Sequence, residues 1–227
     1  LLEALAELQS DLESGVSREA PIAATGTGAR NYRTPLIGRE KEASQLRDAL
    51  ERASSGAGSL VTLAGEPGVG KTRLASDLMD HARANGFLTL VGHCYEGEGA
   101  RPFSPWVEIL DASARIAAKG TFRELLGDGA PEIARLLPSL RRLYPDLGAP
   151  LEMPPEESRN YLFDCFCEFV ERCGRLQPLL LVLEDLHWAD PSTFLLLHRL
   201  THRLGEMAVL IVGTYRDVEL DVAPPLA

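Results

Sequence analysis

Gly65-Glu66-Pro67-Gly68-Val69-Gly70-Lys71-Thr72 carries the strongest chemical signal in the chain. Its glycines let the backbone curl until several N–H groups point inward, and a nest of such dipoles binds an anion such as phosphate. A helix starting directly afterwards adds the positive end of its own dipole. In a loop of the form G-x-x-x-x-G-K-[ST], Lys71 is expected to reach the β and γ phosphates of a nucleotide, and the Thr72 hydroxyl to ligate Mg²⁺. Gly65, Glu66, Pro67, Gly68, Val69 and Gly70, with Lys71, Thr72 and Arg73 after them, are the expected nucleotide-binding residues. With glycine at its ordinary frequency, such a string arises by chance on the order of once in a hundred chains of this length. An ordinary glycine turn is therefore a poor explanation.

A phosphate-bound magnesium needs a further acid to hold its water shell, normally at the end of a neighbouring buried strand. The run PLLLVLED, Pro178 to Asp185, ends on Glu184 and Asp185. Adjacent strand residues point to opposite sides, so the two carboxylates are expected to do different work. One faces the metal and the other is free to polarise an attacking water, with a simple strand-end cap as the bland alternative for either. Farther on, Asp190 is sufficiently explained as a helix N-cap and Trp188 as a packing anchor, and His187 lies in the same block. His198 and His202 stand at the i, i+4 spacing of a zinc pair, but HRLTH lacks the glutamate of H-E-x-x-H, which leaves them as helix-surface histidines.

These residues need elements to position them. An apolar strand is expected over Leu60–Ala64, and a helix over Thr72–Asn85 that buries Leu74, Ala75, Leu78 and Met79 and stops at Gly86. A second strand is expected at Phe87–Val91. The eighty or so residues before the next strand are too many for a bare loop, so residues 96–178 should form a helical insertion. The unbroken aliphatic run before Glu184 fits a strand buried on both faces. DPSTFLLLHRLTHRLG then gives a helix with Pro191 in its first turn and Gly205 past its end, and AVLIVGTYR, Ala208 to Arg216, a fourth strand. Strands alternating with helices mean an α/β fold, a parallel sheet with helices on both faces. Upstream, PLIGREKEASQLRDALERA reads as a helix with Leu46 and Leu50 on its apolar face. Residues 15–34 read as a flexible linker, and residues 1–14 as the terminal helix of a preceding domain.

Bulk properties narrow the field. A formal net charge of −10, from 33 acidic and 23 basic residues, offers no basic surface for a nucleic-acid backbone. The longest aliphatic run, Leu179–Leu183, is far too short to span a bilayer, and the acidic amphipathic start is no signal peptide. Cys94, Cys165, Cys167 and Cys173 form no CxxC pair; they read as buried thiols in a reducing compartment, rather than as a metal site at Cys165 and Cys167. The cytoplasm is the expected location. Because the chain starts on Leu1 and trails off through Pro224 and Pro225, both ends are read as cut, leaving a core over 35–227 that is incomplete at its C-terminus.

Four blocks in order, PLIGREKE, GEPGVGKTRL, LLLVLEDLHWADPST and LIVGTYRD, resemble the ATPase module of the STAND class of signalling P-loop ATPases. More narrowly, they are similar to AAA-like ATPase modules of large LuxR-type regulators, of some bacterial adenylate cyclases and of kinase-linked ATPases. The resemblance covers roughly Pro35 to Asp217 and implies binding of ATP and Mg²⁺. It implies Glu184 as the metal-side acid, Asp185 as the water-polarising acid, Arg216 as a γ-phosphate sensor and Arg39 beside the adenine and ribose. Many P-loop ATPases have Asp where this chain has Glu184; were Asp185 on the metal instead, Leu186 would hold the catalytic position. It further implies covalently linked effector and sensor domains outside the chain, and nucleotide-dependent self-association. Arg101, Arg141 and Arg142, in or beside the insertion, are candidates for an arginine finger that spacing does not separate. A regulatory ATPase, a nucleotide switch with negligible hydrolysis, a small-molecule P-loop kinase and a replication-type AAA+ initiator remain open. The kinase would carry a basic lid that is not seen after the third strand.

Overall fold

A computed structural model describes residues 38–97 and 101–216. The expected terminal helix over 1–14, the linker over 15–34 and the last residues, 217–227, lie outside the described residues.

The alternation of strand and helix takes the following form. Helix α1 spans Glu40–Ser54, with Glu40 and Glu42 in its first turn, where the dipole favours acids, and it buries Ala43, Leu46, Ala49, Leu50 and Ala53. Strand β1 (Ser59–Ala64) leads through the glycine loop into α2 (Lys71–Ala84). Helix α2 buries Leu74, Ala75, Leu78 and Ala82; Met79, expected on that face, is only partly buried at its margin, because Ala82 carries the i+4 step on from Leu78. Gly86, at φ 79°, takes the left-handed conformation that ends such a helix. Strand β2 (Leu88–His93) follows.

The insertion comprises α3 (Ser104–Ile116), α4 (Lys119–Leu126), α5 (Ala130–Ile133), α6 (Leu140–Leu143) and α7 (Pro155–Leu176). Then come β3 (Leu179–Glu184), α8 (Pro191–Thr201) and β4 (Val209–Tyr215). Helix α8 stops before Gly205, which falls instead inside a short 3₁₀ turn, Leu204–Glu206.

The four strands are all parallel and lie in the order β1-β4-β3-β2. Period-two alternation sorts their side chains to two cores. Leu179, Leu181, Leu183, Val209 and Ile211 face the insertion helices and α8, while Leu180, Val182, Leu210 and Val212 face α1 and α2. The insertion is part of the main core rather than a detached lid. Its Trp106 and Phe166 rings meet edge-on at 5.3 Å, Phe122 and Phe169 at 5.8 Å, and the Trp106 indole donates to Thr193 O at 3.3 Å. Such aromatic pairs bury large area with defined geometry.

Helix α3 lies close against β2. A Cβ at Gly92 would sit 2.3 Å from the backbone oxygen of Pro105, whereas one at Gly120, early in α4, would meet nothing within 4 Å. Gly92→Ala is therefore expected to cost about 1–3 kcal/mol through overpacking. Gly120→Ala should be neutral or stabilise by up to about 1 kcal/mol through helix propensity. Urea denaturation of the two variants beside the parent protein checks the contrast; equal stabilities would contradict it.

Candidate functional site

Parallel strands deliver their C-terminal ends to one edge of the sheet, and there the candidate residues collect. The strand order brings a correction: β3, which carries the acids, is not the neighbour of β1, because β4 lies between them. Leu63 pairs with Thr214 and Ala64 with Tyr215, while Leu183 pairs with Gly213 and His93 with Glu184. The glycine loop, Thr214 to Arg216 and the acid pair thus emerge from three strands at one level.

Gly65, Gly68 and Gly70 have φ values of 149°, 85° and 96°, open to glycine and strained for other residues. A side chain at Gly68 or Gly70 would meet no atom within 4 Å, so these glycines serve backbone curvature rather than close packing. Glu66, Pro67 and Val69 complete the loop, with Val69 exposed. Lys71 is the first residue of α2, and its ammonium donates to Gly65 O at 2.6 Å and Glu66 O at 3.0 Å. The amine is held over the curl of the loop, where it can exchange those carbonyls for anionic oxygens. Thr72 is exposed beside it and Arg73 is partly buried. A curled loop, a lysine across it, an exposed threonine and the N-terminus of a helix fit a nucleotide's phosphates and Mg²⁺ in donor chemistry.

Arg39 precedes α1, and its guanidinium pairs with Glu42 at 2.7 Å and donates to Val69 O at 3.4 Å. A cavity of about 570 Å³ opens here, between α1, β1 and the loop, with Arg39, Gln45, Arg52, Val61, Gly70 and Lys71 on its walls. Glu184, Asp185 and Arg216 do not line it. The cavity therefore reaches the lysine side of the loop, and the acids approach from the other side, across β4.

Glu184 ends β3, and Asp185 has already left the strand: at φ 58° and ψ 47° it is left-handed. The expected division between the two carboxylates comes from this turn, not from strand pleating. Asp is among the few residues that tolerate that conformation, and the Asp185 N–H donates to Thr214 Oγ1 at 3.0 Å, which ties the turn to β4. The Asp185 side chain is 49% exposed while that of Glu184 is 18% exposed. Burial raises the Glu184 pKa from its ordinary value, His93 nearby pulls it down, and Asp185 pushes it up again. Arg216 follows β4 and is partly buried.

Asp190 caps α8 by accepting from Ser192 N at 2.9 Å and Thr193 N at 3.1 Å, and it also accepts from Phe103 N at 3.1 Å. Trp188 packs against the insertion-side core, with the His187 ring 5.0 Å away. His198 and His202 lie exposed on or just after α8. The four cysteines are free and buried, and among the described residues no group of three or more His, Cys, Asp or Glu could hold a metal ion. Arg101, Arg141 and Arg142 are all exposed, with Arg141 donating to Gly148 O at 3.2 Å. No helix of the described residues is long and apolar enough to cross a membrane.

Sequence reasoning missed Thr214, His93 and Glu108. The His93 ring pairs through Nδ1 with Glu108 Oε2 at 2.7 Å and turns Nε2 toward Glu184 at 3.8 Å. Strand β2 runs on past the expected Val91 to His93, and nothing in the sequence pattern marks His93, Glu108 or Thr214.

The family profile of the AAA ATPase domain matches residues 35–212. The chain belongs to that family, a family of nucleotide-binding ATPase domains. An uncharacterized protein of Rhizobium meliloti is 27% identical over 84% of this chain and 20% of its own length. Hybrid signal transduction histidine kinase G of Dictyostelium discoideum is 25% identical over 71% of this chain and 5% of its own. The chain thus spans a fifth or less of these curated relatives. Among solved structures, Drosophila ORC bound to DNA aligns over 95% of this chain and 52% of its own at 11% identity and a TM-score of 0.41. C. elegans PCH-2 aligns over 78% and 37% at 13% identity and a TM-score of 0.37.

The raised Glu184 pKa fixes a sign. Its folded value lies above its unfolded one, so its contribution to stability is present below the ordinary carboxylate range and is lost as pH rises through the raised value. Glu184→Gln removes the buried charge. In metal-free buffer its thermal midpoint is expected to exceed the parent's near about pH 8, with the gap closing toward about pH 4. An equal or lower midpoint at the alkaline end would contradict this.

Proposed function

We propose that this chain is an ATP- and Mg²⁺-binding regulatory ATPase module, a nucleotide switch within a multidomain signalling or transcription-regulatory protein. One observation carries the reading: the glycine loop, the acid pair and the end of β4 emerge side by side at the C-terminal ends of β1, β3 and β4. Family membership supports nucleotide binding, and a relative named as a signal transduction kinase supports the signalling context.

In this reading ATP supplies the transferable phosphoryl group and Mg²⁺ neutralises its charge. The amides of Gly65 to Gly70 cradle the phosphates, and Arg73 supports the first turn behind them. Lys71 leaves the Gly65 and Glu66 carbonyls for phosphate oxygens. Thr72 and Glu184 are the metal-side groups, Glu184 acting directly or through water. Asp185, held out of the strand by Thr214, orients and polarises the attacking water. Arg216, at the end of the strand between the two, senses the γ phosphate, and Arg39 sits toward the adenine and ribose. Because Thr214 lies near the end of β4, Arg216 follows it and β4 pairs with both β1 and β3, a change at the phosphate is felt at both neighbours. Such γ-phosphate contacts are a known way to bias a two-state element. The core would run over 35–227, with effector and sensor domains covalently attached outside it and self-association following the nucleotide state.

Two variants test this. Lys71→Ala is expected to lower ATP affinity on the order of 100-fold. Asp185→Asn should keep binding while turnover falls by about 100-fold or more. Fluorescent-nucleotide binding and phosphate release measure the two. Undiminished binding by Lys71→Ala would refute the site. Binding without any turnover in the parent protein would assign the chain to a nucleotide-locked switch.

A further inference from the structure

We propose that Glu108, on insertion helix α3, is a positioning residue that acts through His93 to orient the carboxylate of Glu184. The inference rests on the reading of Glu184 as the metal-side acid.

His93 ends β2 directly opposite Glu184 in the parallel register. Glu108 grips it twice: Oε2 accepts from the His93 backbone N at 3.1 Å and pairs with ring Nδ1 at 2.7 Å. The other oxygen, Oε1, accepts from the Tyr95 hydroxyl at 2.6 Å, so the carboxylate itself has a fixed orientation. That bond, with Glu108 as its acceptor, also helps push the Tyr95 phenol up to about 12. On the far side of the peptide, Ser104 Oγ donates to His93 O at 3.2 Å. At the neighbouring Gly92 there is no room for a Cβ against the Pro105 backbone, so the end of β2 and the first turn of α3 are locked together.

With Nδ1–H committed to Glu108, the ring has one orientation, and Nε2 faces Glu184 Oε2 at 3.8 Å. A carboxylate that takes the other ring N–H of a histidine fixes its tautomer and ring orientation, and so the face that the ring presents to Glu184. Direct ligation by the cluster is a poor rival, since these residues do not converge as a group that could hold an ion. The route also has a consequence for regulation. Helix α3 packs in one core with α7 and α8, so the His93–Glu108 contact gives a shift of the insertion a side-chain route to the Glu184 carboxylate.

The test uses the 227-residue chain and a fluorescent ATP analogue, titrated with Mg²⁺ and, separately, in EDTA. Glu108→Ala and His93→Ala are each expected to raise the half-saturating Mg²⁺ concentration about tenfold, with the affinity in EDTA unchanged. The double variant should do no more than either alone, because both break one path. Glu108→Gln, whose amide oxygen still accepts from His93, should be partly rescued. A merely structural role would lower the thermal midpoint without separating the metal-dependent from the metal-free affinity. An unchanged Mg²⁺ requirement in Glu108→Ala and Glu108→Gln overturns the proposal. Glu184→Gln distinguishes the two levels. If it raises the Mg²⁺ requirement while the Glu108 and His93 variants do not, only the positioning role fails. If it leaves the requirement unchanged, the metal-side reading of Glu184 fails, and the positioning role with it.

Discussion

Strand β4 is the physical constraint on which the site depends. It pairs in parallel with β1 on one side and β3 on the other, and residues Val209 to Thr214 are buried. Each end of the site is bonded to it: Ala64, at the mouth of the glycine loop, pairs with Tyr215, and Asp185 donates its N–H to Thr214. The distance between the phosphate cradle and the acids is therefore set by backbone pairing at two strand spacings, about 10 Å, rather than by flexible side chains. Chemistry that depends on positioned charge needs such a fixed span.

That arrangement concentrates negative charge on one side of β4. Glu184, Asp185 and Glu108 lie around the ends of β2 and β3, with the His93 ring beside Glu108 and Glu184 and the His187 ring 4.0 Å from Asp185. The buried Cys94 thiol registers the same field: burial first, then Asp190, Asp185 and Glu108, push it up to about 12. Across β4 the Lys71 ammonium donates to the neutral carbonyls of Gly65 and Glu66, weaker acceptors than an anionic oxygen. A cation on one side and carboxylates on the other form a polarised gap, suited to a phosphate that brings its own metal.

The parts of this architecture governed by local rules were legible in the sequence. The glycine loop declared itself through residue types that only a curled backbone requires. The aliphatic run of β3 declared a strand covered on both faces, and Asp190 declared a cap, because each is a short-range consequence of composition. Strand order was not legible, since it depends on which crossover packs where, and so β4 between β1 and β3 went unread. The departure of Asp185 from its strand escaped for a related reason: the partner that fixes the turn, Thr214, is on a different strand. The His93–Glu108 pair joins residues that sequence alone gives no reason to connect, on a strand end and an insertion helix. Functional roles for Lys71, Glu184, Asp185 and Arg216 rest on resemblance and on this geometry taken together.

The central claim is that one nucleotide engages the ends of β1, β4 and β3 at once. Hydrogen exchange with and without MgATP measures this most directly, because it reports each backbone segment separately. The account predicts concerted slowing of exchange in the 65–72 loop, at 184–187 and at 214–216. Protection confined to the loop, with the acid turn and the end of β4 unchanged, would contradict it.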